Sequence, residues 1–251
     1  FPSLTEGEVI LGCNDADELL SAIERSYTEG RVNAVGTGHE SEGGRILTTP
    51  LHYAYLKIAD GCNNHCTYCL IPKIRGRYRS YSMESLLKEA EALGDLSELI
   101  LVAQDTTRYG SDLYGENMLS ALIRRLSALE NVEKIRLLYC YPDVIDDKLI
   151  AEIAQNDKVI KYIDIPLQHS EDAVLKRMNR KGSRAEYLAL IEKLRRAVPG
   201  IAVRSTFIAG FPGETEEEVA ALANFLREAK LTNCGFFAYS REPDTPAYRL
   251  K

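Results

Sequence analysis

The sequence predicts an open, partial TIM-like (β/α)6 barrel of the α/β class, preceded by a remnant of another domain. Three observations carry that prediction. From residue 52 onward, short β-rich apolar segments alternate with amphipathic helical ones through six units. The strand segments are continuously apolar, the pattern of parallel strands covered by helices. Right-handed crossovers curl such a series toward a barrel, and six units fall short of the eight that close one. A doubly wound open sheet satisfies the same pattern and stays open as an alternative.

Each element has its own signal. "YAYLKIA" (53–59), "ELILVAQ" (98–104), "KIRLLYC" (134–140), "IKYIDIP" (160–166), "IAVRSTFIAG" (201–210) and "CGFFAYS" (234–240) read as strands. The helix over 82–93 places Met83, Leu86, Leu87, Ala90 and Leu93 on one face. Further helices are predicted over 117–129, 146–156, 171–179 and 184–197, and after Thr215. Ser183-x-x-Glu186 and Thr215-x-x-Glu218 are predicted capping boxes, in which each end satisfies the other's backbone amide.

Residues 1–50 differ. "GEVILGC" reads as a strand and "DADELLSAIERSYTEG" as a helix with Asp15 near its N-cap. One strand and one helix cannot make a domain. "GTGHESEGGRILTTP" (36–50) is glycine-rich and polar, hence a linker. The expected organisation is the end of a preceding domain plus linker over 1–50, then one core domain over 51–251.

Composition narrows the function. A chain of 251 residues with 45% hydrophobic content can bury one large core. Its net charge of −6 does not advertise nucleic-acid binding. No apolar run is long enough for a membrane span, and no basic stretch precedes the first apolar one as in a signal peptide. The cytoplasm is the expected location. Lys73, Arg75, Arg77 and Arg79 alternate with other residues after a cysteine cluster. They form either a solvated basic loop or an electropositive rim that receives an acidic substrate.

The chain has six cysteines, and three of them, Cys62, Cys66 and Cys69, stand at C-x3-C-x2-C spacing directly after the first strand. Parallel α/β folds place ligands at that end of the sheet. Clustered cysteines without a secretory signal bind metal more often than they pair. Structural zinc wants four ligands, and His65 adjoins Cys66 too closely to be the fourth. A [4Fe–4S] cluster held by three cysteines keeps one iron open, which a small molecule can fill. Cys13, Cys140 and Cys234 sit in apolar company and are expected in the core. A non-catalytic zinc or iron–sulfur module is the competing reading.

The motif after the first strand of a six-unit βα chain resembles the radical S-adenosylmethionine (SAM) superfamily, over about residues 52–251. The resemblance implies a [4Fe–4S] cluster on Cys62, Cys66 and Cys69, with SAM on the fourth iron and cleaved to a deoxyadenosyl radical. "IADGCNNHCTYCLIPKIRGRYRS", "VAQDTTRYGSDLYG", "DIPLQHSEDAVLKRMNRKG", "RSTFIAGFPGET" and "SREPDTPAY" are similar to the methylthiotransferases, which insert sulfur into a C–H bond and methylate it. "AQDTTRYG" is similar to the branch that modifies an aspartate of small-subunit ribosomal protein S-twelve. The transfer-RNA adenosine branch is the alternative, and only that one brings a nucleic-acid substrate. The family also implies an electron donor such as flavodoxin or ferredoxin.

The same resemblance suggests roles. Tyr68 matches an aromatic position whose backbone approaches the adenine, or packs the loop. Gln104 and Asp105 end the second strand, where the superfamily presents polar groups to the SAM amino group; a strand-end turn also suits Asp. Gln168 lies where the ribose hydroxyls are reached, or caps the next helix. Arg204, inside a strand, needs a carboxylate, either that of SAM or one within the chain. Gly210 and Glu214 lie in "AGFPGE" (209–214), similar to an adenine-side turn. Lys73, Arg75 and Arg77 are candidate substrate contacts. His65 and His169 read as loop and turn residues. Family members carry a second [4Fe–4S] cluster in an N-terminal domain and end in a small barrel called TRAM. Only Cys13 lies in the N-terminal piece and the sequence stops at Lys251, so both features are expected only in the full-length protein.

Overall fold

The computed structural model describes residues 9–11, 19–30, 32–34 and 47–251. The chain divides into two compact units, Phe1–Ile46 and Leu47–Lys251. In the first, strands Val9–Leu11 and Val32–Ala34 pair in parallel, with helix Leu19–Glu29 between them in sequence. The second strand of that pair had no signal in the sequence. The readings for Cys13 and Asp15, and the linker up to residue 46, lie outside the described residues.

The second unit carries six parallel strands: β1 (Tyr53–Lys57), β2 (Glu98–Val102), β3 (Ile135–Leu137), β4 (Tyr162–Asp164), β5 (Ala202–Ala209) and β6 (Asn233–Ala238). They hydrogen-bond in chain order within two sets of three, β1–β2–β3 and β4–β5–β6. Ile135 bridges Val159, and Cys140 N–H donates to Asp164 O at 2.8 Å, so the two sets join in sequence order. The result is the open partial barrel that the alternation predicts. The crossovers are α1 (Met83–Ala92), α2 (Leu119–Ser127), α3 (Asp147–Gln155), α4 (Asp172–Arg177) followed by α5 (Arg184–Ala197), and α6 (Glu216–Ala229).

Side chains alternate between the faces of each strand. Ala54, Leu56, Leu99, Leu101, Leu137, Ile163, Val203 and Phe207 are fully buried among the helix side chains. Burial of such a side chain contributes about 1.5–3 kcal/mol. The opposite, inner face departs from the sequence reading. It carries Glu98 bonded to Arg136, whose guanidinium covers the Tyr162 ring at 4.7 Å, and Asp164 paired with Arg204. The inner face therefore mixes charged pairs with apolar residues such as Ile100, because a partial barrel leaves its concave side accessible. The β6 strand departs further. Among the described residues it has a neighbour on one side only, and Phe236 and Phe237 are 52% and 62% exposed.

Caps fix the helix starts. Ser82 Oγ accepts from Ser85 N–H, and Asp146 Oδ1 from Leu149 N–H. Thr215 and Glu218 form the full capping box. At α5 only half forms: Ser183 Oγ accepts from Glu186 N–H, while the Glu186 carboxylate takes the Ser183 hydroxyl instead of its backbone amide.

Cys140 lies in the core as expected, but Cys234 is exposed on the edge strand. Burial pushes the Cys140 thiol well above its ordinary range and raises Cys234 less, with Arg204 opposing. Brief iodoacetamide treatment of the cluster-free chain should alkylate Cys234 and spare Cys140 until denaturant is added. Equal modification of both in the folded chain, read by peptide mass spectrometry, would contradict this placement.

Candidate active site

The cysteine loop leaves β1 through a two-residue antiparallel ribbon, Ala59–Asp60 against Arg79–Ser80. Gly61 has φ +77°, and a Cβ there would lie 2.2 Å from Arg77 O, so no other residue fits without moving the ribbon. Cys62 N–H donates to Gly76 O at 3.2 Å. The Cys62 sulfur accepts Asn64 N–H and the Cys69 sulfur accepts Ile71 N–H, both at 3.4 Å. Burial raises the thiols of Cys62 and Cys69, and those two N–H groups oppose the rise. All three cysteines are free. Among the described residues, no three His, Cys, Asp or Glu side chains converge on a single ion.

The rest of the loop is tied to segments remote in sequence. Thr67 N–H donates to Met178 O and Thr67 Oγ1 to Arg177 O, while Thr67 O accepts Ala247 N–H at 2.8 Å. Asn179 Nδ2 donates to His65 O, which suits the left-handed backbone of His65 at φ 39°. Tyr68 packs edge-on against Phe211, and burial pushes its hydroxyl far up.

Several residues singled out from the sequence turn out to serve the chain itself. Asp105 is fully buried and accepts from Thr107 Oγ1 (2.6 Å), Asn64 Nδ2 (2.8 Å) and Arg108 Nε (2.9 Å). Its oxygens thus hold the cysteine loop to the segment after β2. Glu214 accepts Gly210 and Phe211 N–H on one oxygen and His169 Nε2–H on the other. His169 Nδ1 accepts Glu171 N–H, so the ring is the neutral Nε2–H tautomer. Glu214 thereby pins the 209–214 turn. Arg204 finds its carboxylate inside the chain, with Nη1 2.6 Å from Asp164 Oδ1. In the basic rim, Lys73 Nζ donates to Asp244 O, Arg75 lies 3.7 Å from Asp60, and Arg77 is exposed.

Others remain uncommitted. Gln104 Oε1 is buried with no hydrogen-bond partner among the described residues. Gln168 takes φ 72°, rare for a side-chain-bearing residue, and is stitched by its backbone to Thr206 and Ile208 of β5. Gly210 has φ +77° with open space where a Cβ would stand.

Sequence reasoning missed Arg180 and Tyr141. Arg180 is only 8% exposed and makes no ion pair among the described residues. Its Nη1 lies 3.2 Å from Tyr68 Oη and 3.7 Å from Cys66 Sγ, its Nη2 donates to Pro166 O, and its Nε has no partner. The guanidinium covers the Tyr141 ring at 4.3 Å, and Tyr141 Oη lies 3.8 Å from Cys66 Sγ. Nothing separates Arg180 from Lys176, Arg177 and Lys181 in the basic run "KRMNRK". A buried cation without a carboxylate is costly unless something anionic completes it.

The Radical SAM superfamily model matches residues 56–226, and the chain belongs to that superfamily. Its chemistry pairs an iron–sulfur cluster with SAM. More particularly, the chain is similar to "Ribosomal protein uS12 methylthiotransferase RimO" of Clostridium kluyveri, 50% identical over 99% of this chain and 57% of that protein. The protein of the same name from Caldanaerobacter subterraneus is 49% identical over 99% of this chain and 58% of its own length. The chain thus spans less than three-fifths of these relatives. Solved structures share the fold. The radical SAM methyltransferase TsrM of Kitasatospora setae has a TM-score of 0.63 and 20% identity over 78% of this chain and 38% of its own. Coproporphyrinogen III oxidase (HemN) of Escherichia coli has a TM-score of 0.57 and 18% identity over 78% and 46%.

Replacing Glu214 with Ala strips His169 and two amides of their partner. It should lower unfolding free energy by about 1–3 kcal/mol, the cost of a buried unsatisfied group such as the His169 ring nitrogen, since the exposed Gly210 amide can turn to water. Urea unfolding checks this, and an unchanged midpoint with altered SAM affinity would restore Glu214 as a ligand group.

Proposed function

We propose that this chain is the radical-generating core of a methylthiotransferase acting on ribosomal protein uS12, with Cys62, Cys66 and Cys69 holding a [4Fe–4S] cluster and SAM completing the fourth iron. The observation that carries the reading is a three-thiol loop beside Arg180, a buried cation that pairs with no carboxylate among the described residues. Three points support the fit. Two of the sulfurs already accept backbone N–H groups, as cluster thiolates do. Three thiols suit a cluster with one open iron, whereas structural zinc wants four ligands. Gln104 Oε1 is an acceptor awaiting a donor.

On this reading Arg180 holds the SAM carboxylate and Gln104 the ammonium, in place of Arg204 and Asp105. Gln168 faces the ribose. Tyr68 and the Gly210–Phe211 turn border the adenine. Asp105 and Glu214 act one step back, fixing the loop and the turn. When bound, the reduced cluster supplies the electron that splits the sulfonium C–S bond. The polypeptide needs no general base for hydrogen abstraction, so His169 can remain a locked neutral residue.

The relatives' printed name favours a ribosomal protein over transfer RNA, and a ribosomal substrate fits the cytoplasm as the location of the reaction. Sulfur insertion draws on the second cluster proposed for the preceding domain of the full-length protein, and the electron on a flavodoxin or ferredoxin. Arg77, exposed beside the loop, is the member of the basic rim best placed for an acidic partner.

Anaerobically reconstituted chain should hold about four irons, one full cluster, and release 5′-deoxyadenosine from SAM under dithionite. Cys66→Ala should abolish both. Arg180→Met should keep the iron and weaken SAM binding on the order of tenfold, about 1.4 kcal/mol. A reconstituted, reducible chain that leaves SAM intact would overturn the proposal.

A further inference from the structure

The three cysteine sulfurs are not equivalent. Those of Cys62 and Cys69 each accept a backbone N–H two residues further along, a contact made within the loop itself. Cys66 Sγ instead meets two side chains from elsewhere, Tyr141 Oη at 3.8 Å and Arg180 Nη1 at 3.7 Å. A ligating thiolate carries no proton, so the Tyr141 hydroxyl is then the donor.

Tyr141 is held for that contact. Its ring is buried and flanked by two guanidinium groups, Arg180 at 4.3 Å and Arg108 at 5.9 Å from the centroid. Its N–H donates to Thr107 Oγ1 at 3.0 Å, and that hydroxyl donates to Asp105 at 2.6 Å. Cations over an aromatic face draw on its electron density, which strengthens the phenolic O–H as a donor. Hydrogen bonds to cluster sulfurs stabilise the reduced, more negative state and raise the reduction potential.

We infer that Tyr141 is a positioning residue that anchors the Cys66 sulfur and raises the cluster's reduction potential through its hydroxyl, with Arg108 and Arg180 as the cations that orient and polarise it. The inference rests on the proposed cluster at Cys62, Cys66 and Cys69. It concerns one oxygen atom, so Tyr141→Phe keeps the ring and both cation contacts.

The test is an EPR-monitored redox titration of the reconstituted chain. Tyr141→Phe should bind the same iron and titrate at a more negative midpoint than the unsubstituted chain. Tyr109→Phe is the control: that buried hydroxyl donates to Tyr81 O and touches no sulfur, and its loss should leave the midpoint in place. A Tyr141→Phe midpoint equal to that of the unsubstituted chain, or an equal shift in both variants, overturns the inference while leaving the cluster reading intact. An unsubstituted chain that takes up no cluster overturns both. A Tyr141→Phe chain that folds with an unchanged melting temperature yet loses iron still supports the anchoring role.

Discussion

A single buried carboxylate organises the site. Asp105 lies just past β2 with no exposure, and its two oxygens take donors from Thr107, Asn64 and Arg108. Each donor reaches a different part. Asn64 belongs to the cysteine loop, Thr107 receives the Tyr141 backbone beyond β3, and Arg108 continues to Asp143 at 2.9 Å. A buried carboxylate without such partners would be expelled or protonated. The charge therefore demands that these segments assemble together, and their assembly sets the cysteines where they stand.

The loop is fastened at both ends and in the middle by chain that is distant in sequence. Arg177 and Met178 hold Thr67 from one side, and Ala247 holds it from the other. Gly61 permits the tight entry that only glycine allows. The cysteine geometry is thus a property of the folded unit, not of nine residues. A rigid frame of this kind suits a cofactor that must be bound in one orientation, because the orienting groups are already in place before it arrives. Arg180, without a carboxylate, and Gln104, with an oxygen without a donor, are among the polar groups that the described residues leave incompletely paired.

Much of this was legible in the sequence, and what was not has a common cause. Strand–helix alternation is a local, repeated signal, so the six units and their caps could be read. The cysteine spacing is local too. Charges were harder, because a buried charge says that a partner exists without saying which. Arg204 meets Asp164, Glu214 meets His169 and Asp105 meets Asn64, each pair some forty or more positions apart. A ligand and a distant side chain satisfy the same electrostatic need, and only the fold tells them apart. Arg180 was hidden the opposite way, as one cation in a basic run. Cys234 was misplaced because an edge strand keeps the apolar composition of a core strand while losing a neighbour.

All of this rests on one iron having no ligand from the polypeptide. Mössbauer spectra of the 57Fe-reconstituted chain test it directly. The account predicts three irons of one kind and one that is distinct, with SAM altering the isomer shift of the distinct iron alone. Four equivalent irons, unmoved by SAM, would contradict it.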